Sequence, residues 1–182
     1  MREELVERAR SGDDVAFAAL VDLYGGRCYA VAYRILRDAE RAQDAVQQAF
    51  LLAWRGLPRL RDVSRYEVWL HRLVVNACYE EFRRYRRWSA NVRELPVDGP
   101  GAPDPMILVD ERDALEQAFR RLSPEHRAVV VLHHYAGFPL ASIAEVAGVP
   151  VGTVKSRLHH ATRILREALA GDPVETRKVR PA

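Results

Sequence analysis

A run of prolines and glycines in the middle of the chain constrains its fold more than any other feature. Within Ser89–Pro105 stand four prolines and two glycines, namely Pro96, Gly99, Pro100, Gly101, Pro103 and Pro105. Proline removes a backbone donor and biases the residue before it away from the helical conformation. The stretch therefore predicts a flexible linker between two halves. The expected divisions are a first domain, a linker, a second domain and a tail, at residues 1–88, 89–109, 110–170 and 171–182.

Both halves have the residue pattern of helices. Apolar residues recur at helical spacing between Val15 and Leu36, and the hydrophobic share of 48% is that of a folded protein. Asp38 and Ser123 stand where N-caps are expected, and Gly25-Gly26 is expected to kink the second helix. No segment alternates as a strand would. The sequence predicts an all-α fold of two small helical domains joined by a flexible Pro/Gly-rich linker.

Composition and motifs exclude several classes of protein. Cys28 and Cys78 lie in apolar helical runs, and the histidines lack companion ligands, so neither disulfides nor a metal site are expected. The charged start, Met1-Arg2-Glu3-Glu4, is unlike a signal peptide, and no window has about 18 uncharged apolar residues. No catalytic constellation is present either. The sequence thus predicts a cytoplasmic protein that is not an enzyme, has no cofactor and does not insert into a membrane.

Leu140–Leu165 has the turn residues and helical pattern of a helix-turn-helix. Gly148 follows a short apolar helix, at the position where the chain turns and where glycine adopts the left-handed conformation without steric strain. Pro150 has a fixed φ that suits the start of the next helix. In that second helix four apolar residues fall on one face, at Val154, Leu158, Ala161 and Leu165. The net charge of the chain is only +3, so the local basic character of this helix stands out.

The remaining positions of the second helix carry donors suited to base edges and phosphates. The predicted contacts with duplex DNA are Val151, Gly152, Thr153, Lys155, Ser156, Arg157, His159, His160 and Arg163. A helical hairpin with a solvated basic face is the alternative. The turn residues together with a uniformly cationic face favour DNA binding.

Two segments resemble a known family. Leu122-Ser123-Pro124-Glu125-His126-Arg127, followed by the run from Val149 to Leu158, looks like domain four of extracytoplasmic-function (ECF) sigma factors. In the first half, Asp44–Arg55 resembles the core-polymerase-binding helix of that family. Trp69-Leu70-His71-Arg72-Leu73, with Asn76 and Arg83-Arg84, resembles its promoter-melting helix. The resemblance spans about Asp14 to Glu167 in the order and spacing of the family.

The resemblance implies an RNA polymerase promoter-specificity subunit under anti-sigma control, with core polymerase, promoter DNA and an anti-sigma factor as partners. Domain four would read the upstream minus-thirty-five element as duplex, and domain two would capture the separated minus-ten strand. The implied polymerase-binding residues are Asp44, Gln47, Gln48, Leu51, Trp54 and Arg55. Those implied for the downstream element are Arg59, Arg61, Tyr66, Trp69, Arg72, Asn76, Arg83, Arg84 and Arg87.

Some of these residues also have a purely structural interpretation. The helical spacing of Trp69 favours a buried core position over a role in stacking on a base. Tyr66 and Tyr85 have a less buried pattern, so a core position and a DNA contact are equally supported for them. Arg83–Arg87 would suit the end of a helix, although DNA contact is favoured beside a melting helix.

The chain departs from the family pattern at several positions. Gln43 and Gln48 stand where family members usually have acidic residues, which implies weaker attraction to a basic polymerase surface. Ala141-Ser142 replaces a usual acidic pair, Glu80 stands for an aspartate and His133 for an arginine.

Two other functions remain open at this point. A dimeric regulator that uses only the helix-turn-helix would bind palindromic duplex without polymerase. A sigma-like decoy would sequester an anti-sigma protein without initiating transcription.

Overall fold

The computed structural model describes residues 2–92 and 110–169, and the side chains of residues 2–88 and 115–169. The described residues contain eight α-helices: α1 Arg2–Arg10, α2 Asp14–Leu36, α3 Ala39–Gly56, α4 Tyr66–Val92, α5 Asp110–Arg120, α6 Pro124–Val130, α7 Leu140–Ala147 and α8 Val151–Leu169. Short 3-10 turns occupy Leu57–Arg59 and Val63–Arg65, and a π-helical turn, Val131–Tyr135, extends α6. No strand occurs within these ranges, which confirms the all-α prediction. The whole predicted tail, residues 171–182, and residues 93–109 of the predicted linker lie outside the described residues.

Helices α1–α4 form an N-terminal unit around a core of small and aliphatic side chains. Leu20, Val31 and Ile35 of α2 are fully buried against Leu70 and Val74 of α4. Local signals set the helix starts: the side chain of Asp38 accepts a hydrogen bond from the backbone N–H of Arg41 at 3.0 Å. Helix α4 runs to Val92, four residues past the expected domain boundary at 88. The basic residues at its end therefore project from a continuous helix.

Helix α2 is unbroken through Gly25-Gly26, so no helix boundary forms at the expected kink. The packing of α2 against α1, α3 and α4 outweighs the intrinsic cost of two glycines in a helix. Helix α2 is also long and apolar enough, by length and composition alone, to cross a membrane. Its most apolar positions, including Leu20, Val31 and Ile35, form the core of the unit instead.

Helices α5–α8 form a C-terminal unit that contains the predicted helix-turn-helix. Gly148 has the left-handed conformation, with φ of 65°, at the end of α7. The backbone N–H of Val149 donates to Ala144 at 3.1 Å and so closes the turn. In α8, Val154 and Ala161 are fully buried and Leu158 is half-buried. The turn and the buried face of the second helix are as predicted.

The two units pack against each other. The sequence predicted only that a flexible linker joins them, and not that they are in contact. Arg127 of α6 is buried and donates from Nη1 to the backbone oxygen of Ile35 at 2.9 Å, at the end of α2. Helix α7 lies along α4, where the ring of His71 meets Phe138 edge-on with centroids 4.9 Å apart. The hydrophobic core is therefore continuous from one unit to the other.

His71 should make stability depend on pH. Its ring is fully buried, Nδ1 lies 2.8 Å from the backbone oxygen of Glu67, and burial lowers its pKa. Below about pH 6.5 the unfolded chain therefore binds more protons than the folded chain. The contribution of His71 to the free energy of unfolding is fully present above that pH and is lost as the pH falls below it. The slope should approach roughly 1.4 kcal/mol per pH unit. Urea unfolding across pH measures this effect. His71→Leu should flatten the profile, and replacement of the exposed His134 by glutamine should not.

Candidate nucleic-acid interfaces and apolar groove

The second helix of the helix-turn-helix presents an exposed polar face. Lys155, His159 and Arg163 are exposed at four-residue intervals and line a cavity along α8. Arg163 is held between two neighbours, since it donates to Glu167 at 2.8 Å and lies 3.2 Å from Nδ1 of His160. Val151, Gly152, Ser156 and His160 are also exposed, and Thr153 is half-buried. The face is sized and charged for a DNA groove.

Arg157 lies apart from this face. It is half-buried, and its charge acts on Tyr79 of α4 and on Glu125 of α6. Burial and then Glu125 raise the pKa of Tyr79, and Arg157 opposes that rise. Arg157, which the sequence predicted among the DNA contacts, is therefore less exposed than Lys155, His159 and Arg163, and its charge lies near residues of α4 and α6.

A second basic region surrounds the start of α4. We call it the downstream groove; it is lined by Leu60, Arg61, Asp62, Arg65, Val68, Trp69, Arg72 and Glu145. The loop is ordered by Asp62, which accepts hydrogen bonds from the backbone N–H of Ser64 at 3.0 Å and from its hydroxyl at 2.6 Å. Arg59, Arg61 and Arg72 are exposed, as is Asn76 one turn further along α4.

Tyr66 is not at the surface, and the expectation of a less buried ring is wrong. Only 2% of Tyr66 is exposed, and its ring packs edge-on to Tyr24 at 5.4 Å. Burial raises its pKa. Trp69 is half-buried, with its ring 5.9 Å from that of Tyr66 and close enough to Gly56 that a Cβ there would lie 3.1 Å from it. Tyr66 thus supports the groove from below, and Trp69 forms part of its wall.

The far end of α4 carries arginines and exposed aromatic rings. Arg83, Arg84 and Arg87 are exposed, and Arg84 pairs with Glu81 at 2.8 Å. Tyr85 is also exposed, with the guanidinium of Arg41 stacked 3.7 Å from its ring centroid. Trp88, which the sequence interpretation did not single out, is 60% exposed. Such interleaving of basic and aromatic side chains suits nucleic acid.

An apolar groove of about 580 Å³ lies between α2 and α3 and shares no lining residue with the downstream groove. Its walls are Phe17, Val21, Gly25, Gln43, Val46, Gln47, Phe50, Leu51 and Trp54. Leu51 and Trp54 remain 48% and 43% exposed, and Trp54 meets Phe17 edge-on at 4.9 Å. A large exposed apolar surface on a folded unit is typical of a protein-binding site.

The structure divides the predicted polymerase-binding residues into two groups. Gln47, Leu51 and Trp54 line the apolar groove, whereas Asp44, Gln48 and Arg55 are exposed on α3 outside it. Sequence analysis missed Phe17 and Val21, because the same helical spacing marks both core and groove residues.

The thiols and histidines of the described residues form no metal-binding group of three or more ligands. Burial raises the pKa of both Cys28 and Cys78 to about 12, so neither thiol is a reactive nucleophile at neutral pH.

An exposed basic helix-turn-helix and a basic groove are typical of a DNA-binding protein, and the separate apolar groove is typical of one with a protein partner. Comparisons with known proteins make the class specific. Residues 20–88 match the family model of Sigma-70 region 2, and residues 112–165 match that of Sigma-70, region 4. The chain belongs to the extracytoplasmic-function (ECF) RNA polymerase sigma factors. It is therefore a promoter-specificity subunit that binds core polymerase and directs initiation at specific promoters.

Individual relatives align over nearly the full length. ECF sigma factor SigM of Mycobacterium tuberculosis is 36% identical over 91% of this chain and 83% of its own length. SigL of the same species is 33% identical over 90% and 94%. Among solved structures, the sigma factor RpoE in complex with the anti-sigma factor NepR from Bartonella quintana has a TM-score of 0.68 at 25% identity, covering 86% of this chain and 98% of that one. CnrH in complex with the cytosolic domain of CnrY has a TM-score of 0.67 at 25% identity, covering 94% and 98%.

Proposed function

We propose that this sigma factor works through three separate surfaces, acts in the cytoplasm and has no catalytic step of its own. Helix α8 reads the upstream promoter element, the downstream groove and α4 hold the melted strand, and the apolar groove docks on core polymerase. The observation that carries the proposal is the separation of these surfaces: the face of α8, the downstream groove and the apolar groove share no lining residue, so DNA and protein would contact different side chains.

The exposed face of α8 suits duplex DNA because it combines point charges with short polar groups. Lys155, His159 and Arg163 reach outward along one line, and Ser156 lies beside them. A helix of this size fits the major groove, where such side chains contact both bases and phosphates. Gly152, with no side chain, and Val151 start the helix at its exposed end, where backbone N–H groups favour a phosphate.

Lys155→Ala should weaken binding to the upstream duplex by roughly 1–3 kcal/mol if the ammonium contacts a base, because a specific donor is lost. Fluorescence anisotropy with a cognate and a scrambled duplex measures the effect. Arg121→Ala, which removes one exposed positive charge elsewhere in the C-terminal unit, is the matched control. An equal loss on both duplexes would assign Lys155 to phosphate, and no loss on either would remove it from the interface.

The downstream groove suits a separated strand because its arginines surround a partly exposed indole. Arg61 and Arg72 supply charge for the backbone, and Trp69 offers one ring edge to a base. Asn76 is exposed on the same helix, where it is available to hydrogen-bond a base edge. Arg59, Arg83, Arg84 and Arg87 extend the basic surface on either side.

Regulation by an anti-sigma factor forms part of the proposal. Two structurally similar proteins are solved as complexes, namely the sigma factor RpoE with the anti-sigma factor NepR, and CnrH with the cytosolic domain of CnrY. The apolar groove of this chain offers such a partner an exposed surface to cover. Co-purification from the native cell that returns polymerase alone would contradict this part.

Run-off transcription with purified core polymerase on genomic fragments tests the function as a whole. Specific transcripts that depend on the chain would support it and exclude a decoy. Footprinting separates the dimeric regulator, which protects palindromic duplex without polymerase, from a sigma factor, which needs polymerase. Failure of the chain to associate with core polymerase would overturn the proposal.

A further inference from the structure

Glu145 of the helix-turn-helix lies in the downstream groove of the other unit. Helix α7 packs along α4 and places this carboxylate beside Arg61, Arg65 and Arg72, all of which line the groove. The carboxylate of Glu145 accepts a hydrogen bond from Nη2 of Arg65, and the two side chains form an ion pair. The C-terminal unit thus puts a negative charge into a basic groove of the N-terminal unit.

The other carboxylate of the groove, that of Asp62, forms its hydrogen bonds within its own loop. Asp62 has its Oδ1 engaged by the backbone and hydroxyl of Ser64, which fixes the loop from within. The hydrogen bond to Glu145 raises the pKa of Arg65, and the charge of Glu145 and, in smaller measure, that of Asp62 add to the rise. Arg65 therefore directs its guanidinium toward an oxyanion supplied from outside its own loop.

We propose that Arg65 is a phosphate-binding residue for the separated promoter strand, and that Glu145 occupies the phosphate position in the free chain. The inference rests on the proposed function of the downstream groove. A guanidinium binds carboxylate and phosphate oxygens with the same donor geometry, so one anion excludes the other. The groove is then masked until the C-terminal unit moves away or the DNA displaces Glu145.

Contacts elsewhere hold Glu145 in place. Arg127 donates to Ile35 at the end of α2, and the guanidinium of Arg34 stacks 3.8 Å from the ring centroid of Tyr135. Across the same junction, Arg27 donates a hydrogen bond to the backbone oxygen of Ala136, and Glu116 forms an ion pair with Arg37. Because an exposed ion pair alone contributes little, this packing positions α7, and Glu145 supplies the competing charge.

The consequence is a specific pattern of affinities for single-stranded DNA. Removing the Glu145 charge frees Arg65 without opening the junction, so the full chain should bind a strand more tightly. Removing Arg65 as well should abolish that gain, because no guanidinium is left to take the phosphate. A purely electrostatic effect of one lost negative charge would not depend on Arg65.

Binding of a labelled thymidine oligonucleotide of about 12 nucleotides, a length near one single-strand site, tests this on the full chain. Glu145→Gln should tighten binding about threefold to tenfold, the range expected when a shielded phosphate contact becomes available. Asp22→Asn removes one negative charge from the exposed side of α2 and is the matched control, with less than about a twofold change. Adding Arg65→Ala to Glu145→Gln should cancel the gain in affinity. Relative to Glu145→Gln alone, it should also reduce the slope of log affinity against log salt by about 0.7.

The outcomes separate this inference from the proposed function. An unchanged affinity for Glu145→Gln, or an equal gain in the Arg65→Ala background, overturns the masking while run-off transcription still establishes the sigma function. A chain that binds no strand with or without Glu145 and supports no run-off transcription overturns both.

Discussion

Replacing Leu51 by aspartate should reduce affinity for core polymerase by roughly 30-fold to 1,000-fold, the loss of about 2–4 kcal/mol typical of a central apolar contact. Leu51 lines the apolar groove and is 48% exposed, so its side chain is available to a partner and not needed by the core. A carboxylate there would have to lose its hydration inside an apolar contact without a counter-charge. Surface-immobilised core polymerase and purified sigma variants give the affinity directly.

The neighbouring residue provides the control. Leu52 is 39% exposed on the same helix but does not line the groove. Leu52→Asp makes the same chemical change one position along and should leave polymerase affinity within about threefold, as expected for surface substitutions away from a contact. Equal losses for both variants would mean that the whole of α3 is engaged, and no loss for Leu51→Asp would remove the groove from the interface.

Most of the helix boundaries and turns could be predicted from interactions between neighbouring residues. Asp38 and Ser123 cap α3 and α6 through hydrogen bonds within a few residues, and Gly148 takes the left-handed conformation of the turn. These interactions depend on neighbouring residues only, so a sequence pattern is enough to find them. The exposed face of α8 followed for the same reason, because one buried stripe defines the opposite side.

Contacts between distant residues were not available to such reasoning. Tyr66 has the spacing of a partly exposed residue but is covered by Tyr24, which precedes it by more than a helix length in the chain. Gly25-Gly26 suggests a break, yet packing against neighbouring helices keeps α2 continuous. Both outcomes are tertiary effects that override local propensity.

The site shows the same division. The exposed positions of Lys155 and His159 follow from helical periodicity, whereas the position of Arg65 in the downstream groove does not, because Arg65 lies in a short 3-10 turn without any periodic pattern. The proximity of Glu145 to Arg65 depends on how the two units pack, across 80 positions of sequence. A charge pattern can show that a basic groove exists, but not which acidic residue occupies it.

Arg127→Met should destabilise the protein by about 2–4 kcal/mol, since hydrogen bonds from a charged donor are worth more than neutral ones and their carbonyl partners stay buried. Nε of Arg127 donates to Leu122 at 3.0 Å and Nη1 to Ile35 at 2.9 Å, so one guanidinium joins the α5–α6 corner to the end of α2. Its position also places a positive charge at the C-terminus of α2, where the helix dipole favours it.

An opposing effect decides how large the loss is. Burial, reinforced by Arg37 and Arg120, lowers the pKa of Arg127, so the folded state carries a desolvation cost that methionine would relieve. We expect the lost hydrogen bonds to prevail because the acceptors, the carbonyl of Ile35 in the last turn of α2 and that of Leu122 in the turn between α5 and α6, receive no donor from methionine. Methionine keeps most of the side-chain volume, which limits any cavity contribution.

Urea unfolding followed by circular dichroism at neutral pH measures the difference. Arg121→Met removes an exposed arginine six positions earlier and should change stability by less than about 0.5 kcal/mol. Arg127→Lys keeps the charge without the forked donor set, so it should lose nearly as much as methionine if the two carbonyl bonds matter. A methionine variant as stable as the wild type would show that desolvation of the guanidinium outweighs its bonds, and the junction would then owe its stability to the apolar contacts around His71 and Phe138.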